Sequence, residues 1–222
     1  RTPKFQILFC NLKIKDEKTI ETCEIPTGHL LQLNIQQKDY IYLNNYQLVG
    51  RQILDSRGNP TVEILCKNDQ NKIIGRGSSP SGASCGSKEA FEMRDQDKKL
   101  FNGKSVFQAL NNISYVNDHL LLKEDNLQDL ENIDQQVIKL DNSSNKTTIG
   151  GNTTTALSFC MLDVISNLKQ VEKFQYIQEI SKNKKPLFIP TPLANVLNGG
   201  KHGSGGLQIQ EFMIFPNEKY DI

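Results

Sequence analysis

Apolar residues recur along this chain at two spacings, every second position in some stretches and every third or fourth in others. From Tyr46 the shorter period dominates. Residues 48–54 lead into Asp55-Ser56-Arg57-Gly58-Asn59-Pro60, a run of turn formers. Residues 61–66 then form a β-branched stretch that places Val62, Ile64 and Cys66 on one face. After the turn Asn68-Asp69-Gln70-Asn71, residues 72–77 make a third strand. Short strands joined by tight turns predict an antiparallel meander.

The longer period takes over afterwards. Ser105 is expected to cap a helix carrying Val106, Ala109, Leu110, Ile113 and Val116 on one face. A second helix carries Leu127, Leu130, Ile133, Val137 and Leu140. A third follows Asn152, with Ala156, Leu157, Cys160, Val164 and Leu168 inward, and residues 176–181 make a fourth. These stripes are core faces. Strands followed by a block of helices predict an α+β domain rather than alternating βαβ units.

Both ends break the pattern. In residues 1–45, Phe5, Ile7 and Phe9 alternate with polar residues, as do Leu31, Leu33 and Ile35, and loop signals lie between them. His29 stands alone there, and no catalytic constellation surrounds it. Prolines at 186, 190 and 192 mark a junction. Residues 194–197 and 207–215 then read as strands flanking a glycine-rich segment, the opening of a second domain. The expected organisation is a divergent N-terminal segment over 1–45, an α+β domain over 46–185, and the start of another domain over 186–222. Arg1 is preceded by neither a Met nor a signal segment, and the chain stops soon after a strand-like run, as a fragment would.

Composition narrows the function. The 222 residues are 37% apolar, which supports a packed core and excludes wholesale disorder. Lys and Arg number 26 against 25 Asp and Glu, so surplus charge for neutralising nucleic-acid phosphates is lacking. No apolar stretch approaches the roughly 20 residues that span a bilayer. The cysteines, 5 in number and without a CxxC pair, fit neither a zinc site nor a disulfide framework, and read as small buried side chains in a reducing compartment. Asn-x-Ser/Thr triplets at Asn112, Asn142, Asn145 and Asn152 read as chance in an Asn-rich chain.

Three segments carry candidate chemistry. Residues 78–89 are small and hydroxyl-rich, able to present hydroxyls and backbone N–H groups to an anion or metal, though composition alone describes an ordinary surface loop. Residues 198–206 resemble a phosphate-binding glycine loop but lack the GxxxxGK[ST] spacing. His202 is the residue there whose charge changes near neutral pH. Gln210-Glu211 sits in the apolar run 207–215, where a carboxylate either faces a site or is a solvated edge residue.

The wording of these segments resembles the enolases. Asp55-Ser56-Arg57-Gly58-Asn59-Pro60-Thr61-Val62-Glu63 is similar to the family's opening signature. Pro80-Ser81-Gly82-Ala83-Ser84, with Glu89-Ala90 and Glu92-Met93-Arg94-Asp95, resembles its mobile active-site loop and the stretch beyond. Asn195-Val196-Leu197-Asn198-Gly199-Gly200, His202 and Gln210-Glu211-Phe212-Met213-Ile214 resemble the opening of its barrel. Leu140-Asp141 and residues 150–152 match between them, so the resemblance spans about residues 46–217.

The resemblance implies an α+β enolase N-terminal domain followed by a truncated α/β barrel, and dehydration of 2-phosphoglycerate to phosphoenolpyruvate in glycolysis. That reaction removes a proton beside a carboxylate, and two Mg²⁺ supply the positive charge it needs, a division of labour general to this superfamily. By resemblance Ser84 is a Mg²⁺ ligand, His202 and Glu211 are catalytic and substrate-binding, and Gln210, Ser81 and Ala83 contact substrate. Arg51 and Glu63 fall at positions of ion pairs across the family's homodimer interface. Cys85 stands where the family has threonine, Lys88 where many members have histidine or an aromatic residue, and Lys201 where serine is common. The carboxylate ligands of the first Mg²⁺ and the lysine base are expected beyond residue 222. The implied location is cytoplasmic, with no nucleic-acid or membrane partner. The alternative is a catalytically altered, enolase-like structural component of a larger assembly such as a cilium, joined through residues 1–45.

Overall fold

The computed structural model describes residues 46–82, 86–120, 122, 127–200 and 206–216, and the antiparallel pairing of β1 (Cys23–Glu24) with β2 (Leu30–Leu31). The expected strand around Phe5, Ile7 and Phe9 lies outside the described residues, as do Leu33 and Ile35. The chain forms two compact units, residues 1–170 and 171–222.

In the first unit, β3 (Tyr46–Leu54), β4 (Pro60–Asn68) and β5 (Ile73–Ser78) form an antiparallel sheet in the order β3-β4-β5. This is the predicted meander. Among the described residues four α-helices follow: α1 (Phe107–His119), α2 (Leu130–Leu140) and α3 (Gly151–Lys169), then α4 (Lys173–Ile180) in the second unit. The α+β architecture is therefore the observed one.

Val62, Ile64 and Cys66 are fully buried, as their spacing predicts. The register aligns Gly50, Ile64 and Gly77 in one row across the sheet, and Cys66 with Gly75 in the next. Those glycines decide how near the helices come. A Cβ on Gly50 would lie 2.1 Å from Ile113 Cδ1, and one on Gly77 would lie 2.2 Å from the Cys160 backbone nitrogen. α3 thus rests its main chain on β5, and α1 fills the space over β3. Burial on β4 does not alternate, however: Thr61, Glu63 and Leu65 on the other face are buried too. The thiols of Cys66 and Cys160 lie in this core. Burial pushes Cys66 up to about 12 and Cys160 higher, so both stay protonated and inert.

Side chains from the helices occupy the open edges of the sheet. Asn117 accepts from the Leu48 N–H at 2.9 Å and donates to its carbonyl at 2.7 Å. On β5, the Arg76 N–H donates to Asp163 and the Ile74 carbonyl accepts from Asn167.

Ser105 does not cap α1. The Asp95 carboxylate does, accepting from Phe107 N–H at 2.8 Å and Gln108 N–H at 2.7 Å, while Ser105 is buried one residue short of the N-cap position, Val106. Leu168 is 44% exposed rather than inward, although its neighbour Asn167 still reaches the Ile74 carbonyl on β5. Met161 and Ile165, both fully buried, complete the inner stripe instead. In the second unit, β6 (Ala194–Asn198) pairs antiparallel with β7 (Glu211–Ile214), so the strand expected over 207–215 shortens to its second half.

Asp141, at the end of α2, is fully buried. Burial pushes its carboxyl up, but donation from the Ile149 N–H, the Ser143 hydroxyl and the Ser143 N–H outweighs this and holds it below the ordinary value. Asp95 is lowered in the same way, against burial, by the Gln108 and Phe107 N–H groups and the Arg94 charge. Asp134 runs the other way, raised by burial. A group lowered on folding stabilises above its unfolded value and loses that contribution as pH falls through its folded value. With Asp95 and Asp141 opposed by Asp134, the melting temperature should fall as the pH drops below about 4. Asp141→Asn should flatten that fall, and thermal melts across the acid range will read it.

Candidate functional site

The stem of the hydroxyl-rich loop is built by the segments around it. Asp55 makes the turn between β3 and β4: its Oδ1 accepts from both Arg57 N–H and Asn59 N–H at 2.8 Å, and the Gly58 N–H closes onto the Asp55 carbonyl at 3.0 Å. Gly58 takes a φ of +76°, which an L side chain resists, so glycine is favoured in this turn. The Asn59 N–H foremost, and the Arg57 N–H and charge with it, hold the Asp55 carboxyl below its ordinary value against burial.

The turn aims Arg57 at the loop. Its Nη1 donates to the Ser81 carbonyl at 2.9 Å, a contact between residues 24 apart in sequence. The Ser79 N–H donates to the Val62 carbonyl at 2.9 Å and the Ser79 carbonyl accepts from the Thr61 hydroxyl at 2.6 Å, so the chain leaves β5 tethered to β4.

Beyond the loop, Arg94 gathers four segments. Its Nη1 donates at 2.5 Å to the carbonyls of Pro60 and Lys104, and its Nη2 contacts the Glu92 carboxylate at 2.6 Å and the Ser81 hydroxyl at a longer 3.4 Å. The Arg94 side chain is only 15% exposed, so these partners replace water around the guanidinium. Asn152, in the first turn of α3, locks the same stretch: its Oδ1 accepts from Met93 N–H at 3.1 Å and its Nδ2 donates to the Met93 carbonyl at 3.0 Å. That pair of hydrogen bonds gives Asn152 its structural role within the matching residues 150–152.

Arg51 and Glu63 face each other across β3 and β4 in register and form an ion pair within the chain. Glu63 is buried and also accepts from the Ser78 hydroxyl at 3.3 Å, while Arg51 is 54% exposed. The guanidinium is what permits a carboxylate on that buried strand.

In the second unit the hairpin places Glu211, the first residue of β7, opposite Asn198. The Gly199 N–H donates to the Gln210 carbonyl at 2.8 Å, and a Cβ on Gly199 would lie 2.3 Å from the Ile209 carbonyl oxygen. The glycine thus lets the segment before His202 close onto the segment bearing Gln210 and Glu211. Glu211 is exposed. Ala83, Ser84, Lys201 and His202 lie outside the described residues, so of the resemblance-derived site residues the structure places Ser81, Gln210, Glu211, Arg51 and Glu63.

Comparison with known proteins decides the family. The model of the enolase N-terminal domain matches residues 46–177, more than half of the chain. The chain belongs to the enolase family. A second model, the enolase C-terminal TIM barrel domain, matches residues 186–222. The enolases are a lyase-type enzyme family, and the chain shares their N-terminal α+β arrangement followed by the first strands of the barrel. Among the described residues no three His, Cys, Asp or Glu side chains converge where a metal ion could be held. No described helix is long and apolar enough to cross a membrane.

Arg57, Arg94 and Asn152 belong to the family-like wording, yet their work was not readable there. Each acts on a residue 13 to 59 positions away.

Proposed function

We propose that this chain is part of an enolase that dehydrates 2-phosphoglycerate to phosphoenolpyruvate with Mg²⁺ as cofactor. The observation that carries the reading is the succession of both enolase domain models along one chain, 46–177 and then 186–222. In this reading the divisions 1–45, 46–185 and 186–222 stand as an appended segment, an N-terminal domain and the start of the barrel. Elimination of the C3 hydroxyl needs a proton delivered to it as it leaves, and Glu211, exposed beside the glycine-rich turn, is the group proposed there. His202 serves the phosphate and reacting end of the substrate, with Gln210 beside it. Ser81 and Ala83 belong to the substrate-contacting loop, and Ser84 contributes a single hydroxyl oxygen toward Mg²⁺. Arg51 and Glu63 lie at the proposed homodimer face, and the location is the cytoplasm.

The test is turnover of 2-phosphoglycerate by the full-length protein, followed by the ultraviolet absorbance of the conjugated product. Activity should appear with Mg²⁺, vanish with a chelator and return on adding Mg²⁺ back. Residues 1–45 fall outside both family models, and this supports a second reading, a structural component of a larger assembly such as a cilium. No turnover under saturating Mg²⁺, together with loss of co-purifying partners on deleting residues 1–45, would favour that reading over the first.

A further inference from the structure

We infer that Arg57 and Arg94 are positioning residues that together fix Ser81 as the chain leaves the sheet. This inference rests on the proposed function for its activity readout alone. Four observations carry it. Arg57 reaches the Ser81 carbonyl at 2.9 Å from a turn that Asp55 builds with two side-chain hydrogen bonds. Arg94 reaches the Ser81 hydroxyl from the far side of the loop, at 3.4 Å. Arg94 is itself immobilised by the Pro60 and Lys104 carbonyls and Glu92, so it is a rigid fixture rather than a solvated surface cation. Lys104, whose carbonyl Arg94 holds, donates through Nζ to Asn59 Oδ1 at 2.9 Å and so braces the turn that carries Arg57.

The consequence is mutual dependence. Ser81 lacks a β-ladder partner, since β5 ends at Ser78. Its position is set by two guanidinium groups, one on its main chain and one on its side chain. A loop that contributes contacts to a substrate is only as well placed as its stem, and displacing a reacting constellation by about 1 Å can cost on the order of 100-fold in rate. The arginines therefore act through Ser81 and not by touching substrate.

Arg57 is exposed, so Arg57→Ala can be made without threatening the core. Arg94→Lys is the companion variant, since lysine keeps the charge but loses the planar fork. In the full-length protein, amide hydrogen exchange at residues 79–82 should accelerate several-fold in Arg57→Ala with the melting temperature nearly unchanged. Arg57→Lys, which can still donate to the Ser81 carbonyl, should restore most of the protection. In turnover of 2-phosphoglycerate, Arg57→Ala should lower kcat by about tenfold with little change in KM. Ser81→Ala should add less loss in the Arg94→Lys background than in the wild type, because the two share one contact. Wild-type exchange rates at residues 79–82 in both arginine variants would overturn the inference. So would a KM effect that disappears at high salt with kcat unchanged, the mark of simple attraction of an anionic substrate. If the wild-type protein does not turn over 2-phosphoglycerate, the proposed function fails, and the exchange rates alone judge the clamp.

Discussion

Gly77→Ala should lower the stability of the first unit by about 3 kcal/mol or more, near the upper end of what overpacking costs. The reason is the identity of the atoms met. A methyl group at residue 77 would lie 2.2 Å from the Cys160 nitrogen, 2.3 Å from the Ala156 carbonyl oxygen and 2.7 Å from the Phe159 carbonyl carbon. All are backbone, so no rotamer change clears them, and α3 must move off the sheet. That movement also disturbs Ile64, which sits between Gly50 and Gly77 in the same row. For a unit of this size the loss corresponds to roughly 10 °C in melting temperature. Gly58→Ala is the matched control. It meets nothing within 4 Å, and its cost is limited to the left-handed backbone at φ +76°, about 1–2 kcal/mol. Equal melting temperatures for the two variants would show that α3 does not rest on β5 as described.

The same glycines mark where the sequence stops being informative about the fold. The period-two pattern located each strand of the meander, because half-buried strands must alternate. It could not explain glycines inside β5, where they cost entropy and bury nothing. Their value lies in α3, some 80 positions further on, whose backbone they admit. The cap of α1 failed for the same reason in reverse. Ser105 has the right chemistry next to the right apolar run, but Asp95 delivers two carboxylate oxygens from outside the local window and takes the first N–H groups. Helical spacing puts Leu168 on the inner stripe, but Met161 and Ile165 fill the core and Leu168 is left exposed. Local pattern gives elements, and contact between elements decides their ends.

The candidate site divides along the same line. Ser84, His202 and Glu211 were named from wording shared with the enolases, and the match over residues 46–177 and 186–222 supports the family behind that wording. What the wording could not reveal is why it includes Arg57, Arg94 and Asn152. Those residues hold main-chain atoms, and a main-chain partner leaves no trace in the sequence at its own position. Met93 is gripped through its N–H and carbonyl, and any residue there could be. Arg51 with Glu63 is intermediate: opposite charges facing across a hairpin are readable once the register is known, and the turn Asp55–Asn59 sets that register.

Glu211→Gln in the full-length protein should depress turnover of 2-phosphoglycerate by at least about 100-fold, the range for losing a positioned acid or base. The substitution is nearly isosteric, so it separates chemistry from shape. Glu211 is exposed at the start of β7, and the contacts closing the turn are main-chain bonds from Gly199 and Gly200 to Gln210 and Leu207. Folding should therefore be unaffected, with a melting temperature inside the narrow range expected of exposed substitutions. A glutamine cannot give a proton to a departing hydroxide, so kcat should fall while substrate binding, served by other groups, is largely kept. His202→Ala should instead raise KM as well as lower kcat, since that residue is proposed to serve the phosphate. Ser84→Ala should raise the Mg²⁺ concentration required for half-maximal rate. Three distinct signatures from three residues are harder to produce by accident than three losses of activity. Undiminished turnover in all of them would remove the site assignment while leaving the family assignment intact, because that rests on the matches over residues 46–177 and 186–222.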